Sequence, residues 1–197
     1  MNLSLEQVRG NIGGDCGTPD MIASDRVEAI GAAAVPYLVR AIGDRDEPVA
    51  TFACRHAVRY GITDALRSAC QSSRATKCCG GLDAEAAKQA MLPKILVGGW
   101  QDGCKPGTPR LEIDDVASGV ARWCQGANDG AVDECTPVDA LVVEGSILAV
   151  TVRDETRRFD AYEVVFADGK TPPQWVLWAV ASSGCNWLRA ANHGGRP

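Results

Sequence analysis

The stretch Ala140-Leu141-Val142-Val143-Glu144-Gly145-Ser146-Ile147-Leu148-Ala149-Val150-Thr151-Val152 decides how this chain is read. Its two apolar runs are rich in β-branched residues, whose stiff side chains pack well on a pleated surface, and Glu144-Gly145 between them is a turn signal. Two strands around a short turn follow. Downstream, Phe159 to Phe166 reads as a third strand, with Tyr162, Val164 and Phe166 on one face and Asp160 at its outer edge. Asp168-Gly169 and Pro172-Pro173 interrupt it, because glycine supplies turn conformations and proline cannot donate to a ladder. Trp175 to Val180 reads as a fourth strand, and a short segment around Trp187-Leu188 closes an antiparallel meander.

Upstream, the apolar period lengthens to that of a helix. Thr18-Pro19 joins an N-cap to a proline at the first helical position, and Ile22, Val27 and Ile30 recur at helical spacing, which predicts a helix from Pro19 to Ile30. Val35, Leu38, Val39 and Ile42 predict a short second helix with Pro36 in its opening turn, ending at Gly43-Asp44. Asp46-Glu47-Pro48 opens a third, whose face of Val49, Phe52, Ala53, Ala57 and Tyr60 stops at Gly61. Gly98-Gly99 and the stretch from Asp102 to Pro109 hold the turn-forming residues of a linker or ordered loop. Ile113, Val116, Ala117, Val120 and Trp123 predict a further helix with Asp114 as N-cap, followed by a polar loop from Gly126 to Pro137. The expectation is an α+β chain. Residues 1–109 form a helical region with a Cys-rich loop, and residues 110–197 a helix plus an antiparallel β region, as two domains or one continuous one.

The run Ile30-Gly31-Ala32-Ala33-Ala34-Val35-Pro36-Tyr37-Leu38-Val39, then Asp44, then the helix from Val49 to Tyr60, resembles the HEAT repeats, including the short form of phycobilisome-lyase-like proteins. The resemblance covers roughly residues 20–62, and a weaker echo at Met91-Leu92-Pro93-Lys94-Ile95-Leu96 lies within residues 84–97. It implies HEAT-like helical hairpins packed with the C-terminal meander, and a broad face suited to binding another protein. The C-terminal region resembles no family.

A chain of 197 residues buries roughly 70% of the surface its unfolded form exposes, enough for one core or two small ones. With 46% hydrophobic and 23% charged residues it falls outside the composition of disordered segments. A formal charge of -5 with both signs scattered offers no basic stripe, so nucleic acid is not an expected partner. The apolar stretch from Ala29 to Val39 is too short to span a bilayer, and Met1-Asn2-Leu3-Ser4-Leu5-Glu6-Gln7 lacks the charged head and apolar core of a secretory signal. The nine cysteines favour an extracytoplasmic protein, periplasmic or secreted, with disulfide-pinned loops and a signal already removed; a cytoplasmic location is the alternative. Their odd number leaves one thiol over, and Cys54, inside a helical pattern, is the expected one.

Candidate functional residues are few. Cys185, in Ser183-Gly184-Cys185-Asn186-Trp187, follows a strand at a candidate helix start, where backbone N–H groups lower a thiol pKa; the words look superficially like the active-site region of papain-like hydrolases. With His193 or His56 it defines a cysteine-dependent hydrolase or transferase, against the simpler reading of a disulfide or buried thiol. Without a Cys-x2-Cys pair, and with Cys78-Cys79 adjacent, no metal centre is expected, nor any cofactor; two disulfides leaving the vicinal pair in different directions suit it better. Arg153, Arg157 and Arg158 alternate with acids at a hairpin tip, as a solvated turn or a partner contact. Trp175 and Trp178, three apart on a strand, should face opposite ways, so that one packs inward and the other is a binding candidate. The leading reading is therefore a non-catalytic protein-binding or scaffold module using Trp175, Trp178, Arg157 and Arg158, with its oligomeric state open.

Overall fold

The computed structural model describes residues 18–102, 109–125, 134–165, 170, 172–180 and 186–189. The fold is α+β, and the chain divides into two compact units, Met1–Ala90 and Met91–Pro197.

The first unit is helical. Helix α1 runs Thr18–Ile30 and passes through a 3-10 turn, Gly31–Ala34, into α2, Val35–Ala41. Gly31 adopts φ 67°, a left-handed conformation that redirects the chain at low cost only without a side chain. Helices α3, Glu47–Arg59, α4, Asp64–Cys70, and α5, Thr76–Gly80, follow. Pro36 and Pro48 occupy the opening turns of α2 and α3, where their missing N–H groups break no helical bond. Thr63 caps α4 by accepting the Leu66 N–H at 3.2 Å. The core is built around small side chains, with Ala50, Ala53, Cys54 and Ala57 of α3 packed with Val27, Leu38, Ile42 and Leu66. Small residues on that face let neighbouring helices approach closely. The stretch read as a Cys-rich loop contains α5 itself.

Helix α6, Leu82–Leu96, carries Pro93 near its end instead of in an opening turn, and the division between the units falls inside it. In the second unit, its last turns contribute Leu92 and Leu96 to a core otherwise made by strands. These are β1, Gly98–Asp102; β2, Arg110–Asp115; β3, Val120–Gln125; β4, Glu134–Pro137; β5, Ala140–Glu144; β6, Ile147–Val152; β7, Glu155–Val164; β8, Gln174–Ala179; and β9, Asn186–Arg189. They form one antiparallel sheet in the order β4-β3-β2-β1-β9-β8-β7-β6-β5.

The two edges of this order, β4 and β5, are consecutive in the chain. Eight antiparallel steps separate them around the sheet, so they run in the same direction. The Val138 N–H donates to Ala121 O on the β3 side at 3.0 Å, and the next N–H, of Asp139, donates to Thr151 O on β6 at 2.8 Å. β4 and β5 are thus one bent strand that pairs with β3 through its first half and β6 through its second. The sheet curls into an eight-stranded up-and-down barrel, with this bent strand bridging its two ends. Its inward positions, among them Trp100, Leu111, Trp123, Leu148, Phe159, Leu177 and Trp187, fill the interior.

Three sequence expectations are corrected here. The segment from Ile113 to Trp123 is a β-hairpin, not a helix: Leu111 and Ile113, then Ala121 and Trp123, alternate inward, and Asp115, not Asp114, ties the turn by accepting from the N–H groups of Ala117 and Ser118. Gly119, at φ 70°, completes that turn. Gly98-Gly99 opens a strand instead of a linker, and Glu134–Pro137, read as loop, is β4.

Candidate functional site

Side-chain alternation along β7 and β8 separates the four residues expected to bind. Phe159 pairs with Ala179, Ala161 with Leu177 and Glu163 with Trp175, so the odd-numbered positions of both strands face the barrel interior. Trp175 accordingly packs against the interior core. Arg157 also points inward, at the mouth, where its guanidinium carbon lies 4.6 Å above the Trp123 ring. Trp178 and Arg158 occupy the outer face instead, on adjacent strands. The strand-based expectation that Trp175 and Trp178 face opposite ways agrees with this placement.

On the outer face Val176 stands opposite Tyr162 on one side and Leu188 on the other, and Trp178 stands opposite Asp160. Trp178 and Leu188 are diagonal neighbours across β8 and β9, and each is 43% exposed. The outer face of β2 and β3 differs in chemistry. There Glu112 bridges Arg110 at 2.8 Å and Arg122 at 3.1 Å, and Arg122 also reaches Asp114 at 3.6 Å. One side of the barrel is sheathed in ion pairs, and the other presents an indole and an isobutyl group to solvent.

The mouth encloses a cavity of about 370 Å³ lined by Trp123, Gln125, Thr136, Arg153, Glu155 and Arg157, with Glu134 and Val152 completing it. Three of its charged side chains have partners: Arg157 reaches Glu155 at 3.3 Å, and Arg153 donates to the Thr136 hydroxyl at 3.3 Å. Arg157 covers the indole of Trp123, which is 4% exposed. The hairpin tip itself is unusual, because Arg153 and Asp154 adopt φ 49° and φ 67°, a two-residue turn that favours Asn-Gly.

In the first unit a cavity of about 540 Å³ is lined by Ser24, Phe52, Arg55 and His56. His56 is 9% exposed, and its Nε2 lies 3.2 Å from the Ser24 hydroxyl. Burial, with Arg59 and then Arg55 adding repulsion, lowers its pKa from 6.5 to about 4, so the ring is neutral at pH 7. Arg59 sits 3.5 Å from Nδ1, held by Glu28 at 3.0 Å. A guanidinium has donors only, so Nδ1 accepts, and the single proton of the neutral ring belongs on Nε2, where it donates to Ser24. A base for a serine nucleophile needs the reverse tautomer. This Ser-His contact therefore supports the helix packing and is not a dyad.

Cys185 and His193 lie outside the described residues, so their expected pairing has no geometry here. Among the described cysteines, disulfides join Cys54 to Cys78, Cys70 to Cys79, and Cys124 to Cys135. The vicinal pair leaves in two directions, as its adjacency suggested. Cys54 is not the leftover thiol: α3 turns it toward α5, where Cys78 meets it in the core.

The alternation that places Leu188 beside Trp178, and Trp123 beneath Arg157, was the signal available in the sequence for both. In the sequence Leu188 stands only in a short closing segment, and the helical stripe claims Trp123. Among the described residues no helix is long and apolar enough to cross a membrane. Comparison with family models, curated proteins and solved structures yields no match.

Proposed function

We propose that this chain is a non-catalytic binding protein, and that the outer face of β8 and β9, centred on Trp178 and Leu188 with Arg158 at its border, engages another protein. The exposed Trp178–Leu188 pair carries the reading. Tryptophan and arginine dominate interface energies because they combine large apolar area with a polar handle. The contrast with the ion-paired face of β2 and β3 supports it, since those charges are satisfied within the sheet. Helices α2 and α3 are read as one HEAT-like unit, supported by Pro36 and Pro48 in their opening turns and by the alanine-rich packing between them. Three disulfides favour a location outside the cytoplasm.

The test is capture of a partner from the native host by the wild-type chain, Trp178→Ala and Val142→Ala. Val142 is exposed to a similar degree on the outer face of β5. Loss with the tryptophan variant alone supports the reading; equal capture by all three overturns it.

A further inference from the structure

The disulfides of the first unit bring sulfur atoms together in a way that their pairing does not require. Cys54 Sγ lies 4.0 Å from Cys70 Sγ and 3.9 Å from Cys79 Sγ, although neither is its covalent partner. Cys54, Cys70 and Cys79 therefore form a compact group, and Cys78, bonded to Cys54, supplies a fourth sulfur. The four come from three helices: Cys54 from the middle of α3, Cys70 from the end of α4, and Cys78 and Cys79 from α5. Cys54 is fully buried, and the other three are half-buried against the same core.

A tetrahedral thiolate site with Zn–S bonds of about 2.3 Å has sulfur–sulfur edges of about 3.8 Å. The two non-bonded contacts of Cys54 already match that edge. The adjacency of Cys78 and Cys79 argues against a metal when read from spacing alone, but the fold draws both sulfurs to the side of α5 that faces Cys54 and Cys70.

We propose that this cluster is a redox-switched metal site, in which the two disulfides, once reduced by a dithiol, become a tetrathiolate for a soft d10 divalent cation such as Zn²⁺ or Cd²⁺. Each disulfide takes two electrons and two protons from a dithiol, which itself closes to a disulfide. The four thiols then release four protons as they bind one cation. Reoxidation reverses this: the four electrons pass to two equivalents of a disulfide oxidant, which take up four protons and become thiols, and the cation is expelled. Oxidised, the cluster staples three helices covalently; reduced, the metal holds the same three together. The half-burial of Cys70, Cys78 and Cys79 gives a small reductant access, and the burial of Cys54 favours a bound metal over free thiolates.

The experiment uses the full chain, reduced with a phosphine that does not itself chelate and titrated anaerobically with Cd²⁺, following thiolate-to-metal charge-transfer absorption and far-ultraviolet circular dichroism. Cys124→Ser/Cys135→Ser removes the third disulfide, and Cys54→Ser/Cys70→Ser removes half of the cluster. The expected result is one Cd²⁺ per chain in the wild type and in Cys124→Ser/Cys135→Ser, with the helical signal retained or restored on binding. In Cys54→Ser/Cys70→Ser the affinity should fall by more than about 100-fold, since loss of two ligands exceeds the 10–100-fold effect of losing a supporting contact. No uptake by the reduced wild type overturns the proposal. So does uptake of equal affinity by Cys54→Ser/Cys70→Ser, which marks scattered thiols of an unfolded chain.

Discussion

Arg157 and Arg158 are neighbours in sequence and stand on opposite faces of one strand: Arg157 covers the indole of Trp123 at the barrel mouth, while Arg158 borders the outer face beside Trp178. The pair therefore separates a structural from a binding role. Arg157→Ala should uncover Trp123, increase quenching of tryptophan fluorescence by acrylamide, and cost about 1 kcal/mol of stability, the scale of a cation–π contact. Arg158→Ala should change stability by less than about 0.5 kcal/mol, as for an ordinary surface position, yet weaken partner capture. Urea titration of both variants checks the contrast, and an equal effect of the two on stability contradicts it.

His56 makes the stability of the first unit depend on pH. Its pKa is about 4 in the folded chain against 6.5 unfolded, so below pH 6.5 the unfolded state takes up a proton that the native state refuses. Stability should be full above pH 6.5, fall as pH drops toward 4, and lose no more to this residue below that. The loss is about 3 kcal/mol at most, from 1.36 kcal/mol per unit. In His56→Gln the slope between pH 6.5 and 4 should flatten. An unchanged slope in that variant places the dependence elsewhere.

The tautomer assigned to His56 predicts chemistry as well. A fluorophosphonate, which labels activated serines, should leave Ser24 unmodified at pH 7, and Ser24→Ala should show the same labelling as the wild type. A phosphonylated Ser24 in peptide mass spectrometry contradicts the assignment.

Hairpin chemistry gives a stabilising change. Arg153 and Asp154 hold left-handed conformations that glycine and asparagine adopt with less strain. Arg153→Asn/Asp154→Gly should raise the thermal midpoint, by on the order of 1 kcal/mol in free energy. A lower midpoint instead would assign the Arg153 side-chain contact with Thr136 more weight than the turn strain.

The Cys54–Cys78 bridge closes a loop across 24 residues, for which chain entropy predicts about 3 kcal/mol of stabilisation. Cys54→Ala/Cys78→Ala should lose that amount in chemical denaturation without reductant. A change below about 1 kcal/mol shows that core packing around α3 suffices.

The first three helices are legible because their starts are written locally, with Pro36 and Pro48 in opening turns, whereas α4, capped by Thr63, and α5 are not among the helices the sequence predicts. The strands from Ala140 onward were legible through β-branched content and alternation. The hairpin around Gly119 was not. Ile113, Val116, Ala117, Val120 and Trp123 also fit a helical stripe, and only pairing with β1 and β4 decides between the two periods. Closure of the barrel was equally hidden, since it depends on Val138 and Asp139 bonding to strands on opposite sides. Of the four residues expected to bind, alternation separated Trp175 from Trp178. Grouping Arg157 with Arg158 ignored the same rule, and the Cys54 cluster arises from helices whose packing no spacing reveals.

The most direct measurement places a photoactivatable cross-linking side chain at position 178 and, separately, at position 142, and exposes both chains to extract of the native host. If the face formed by β8 and β9 is the binding surface, position 178 should give a discrete cross-linked partner that disappears when Leu188→Asp is added, while position 142 gives none. A partner captured equally from both positions, or capture at 178 that survives Leu188→Asp, contradicts the account.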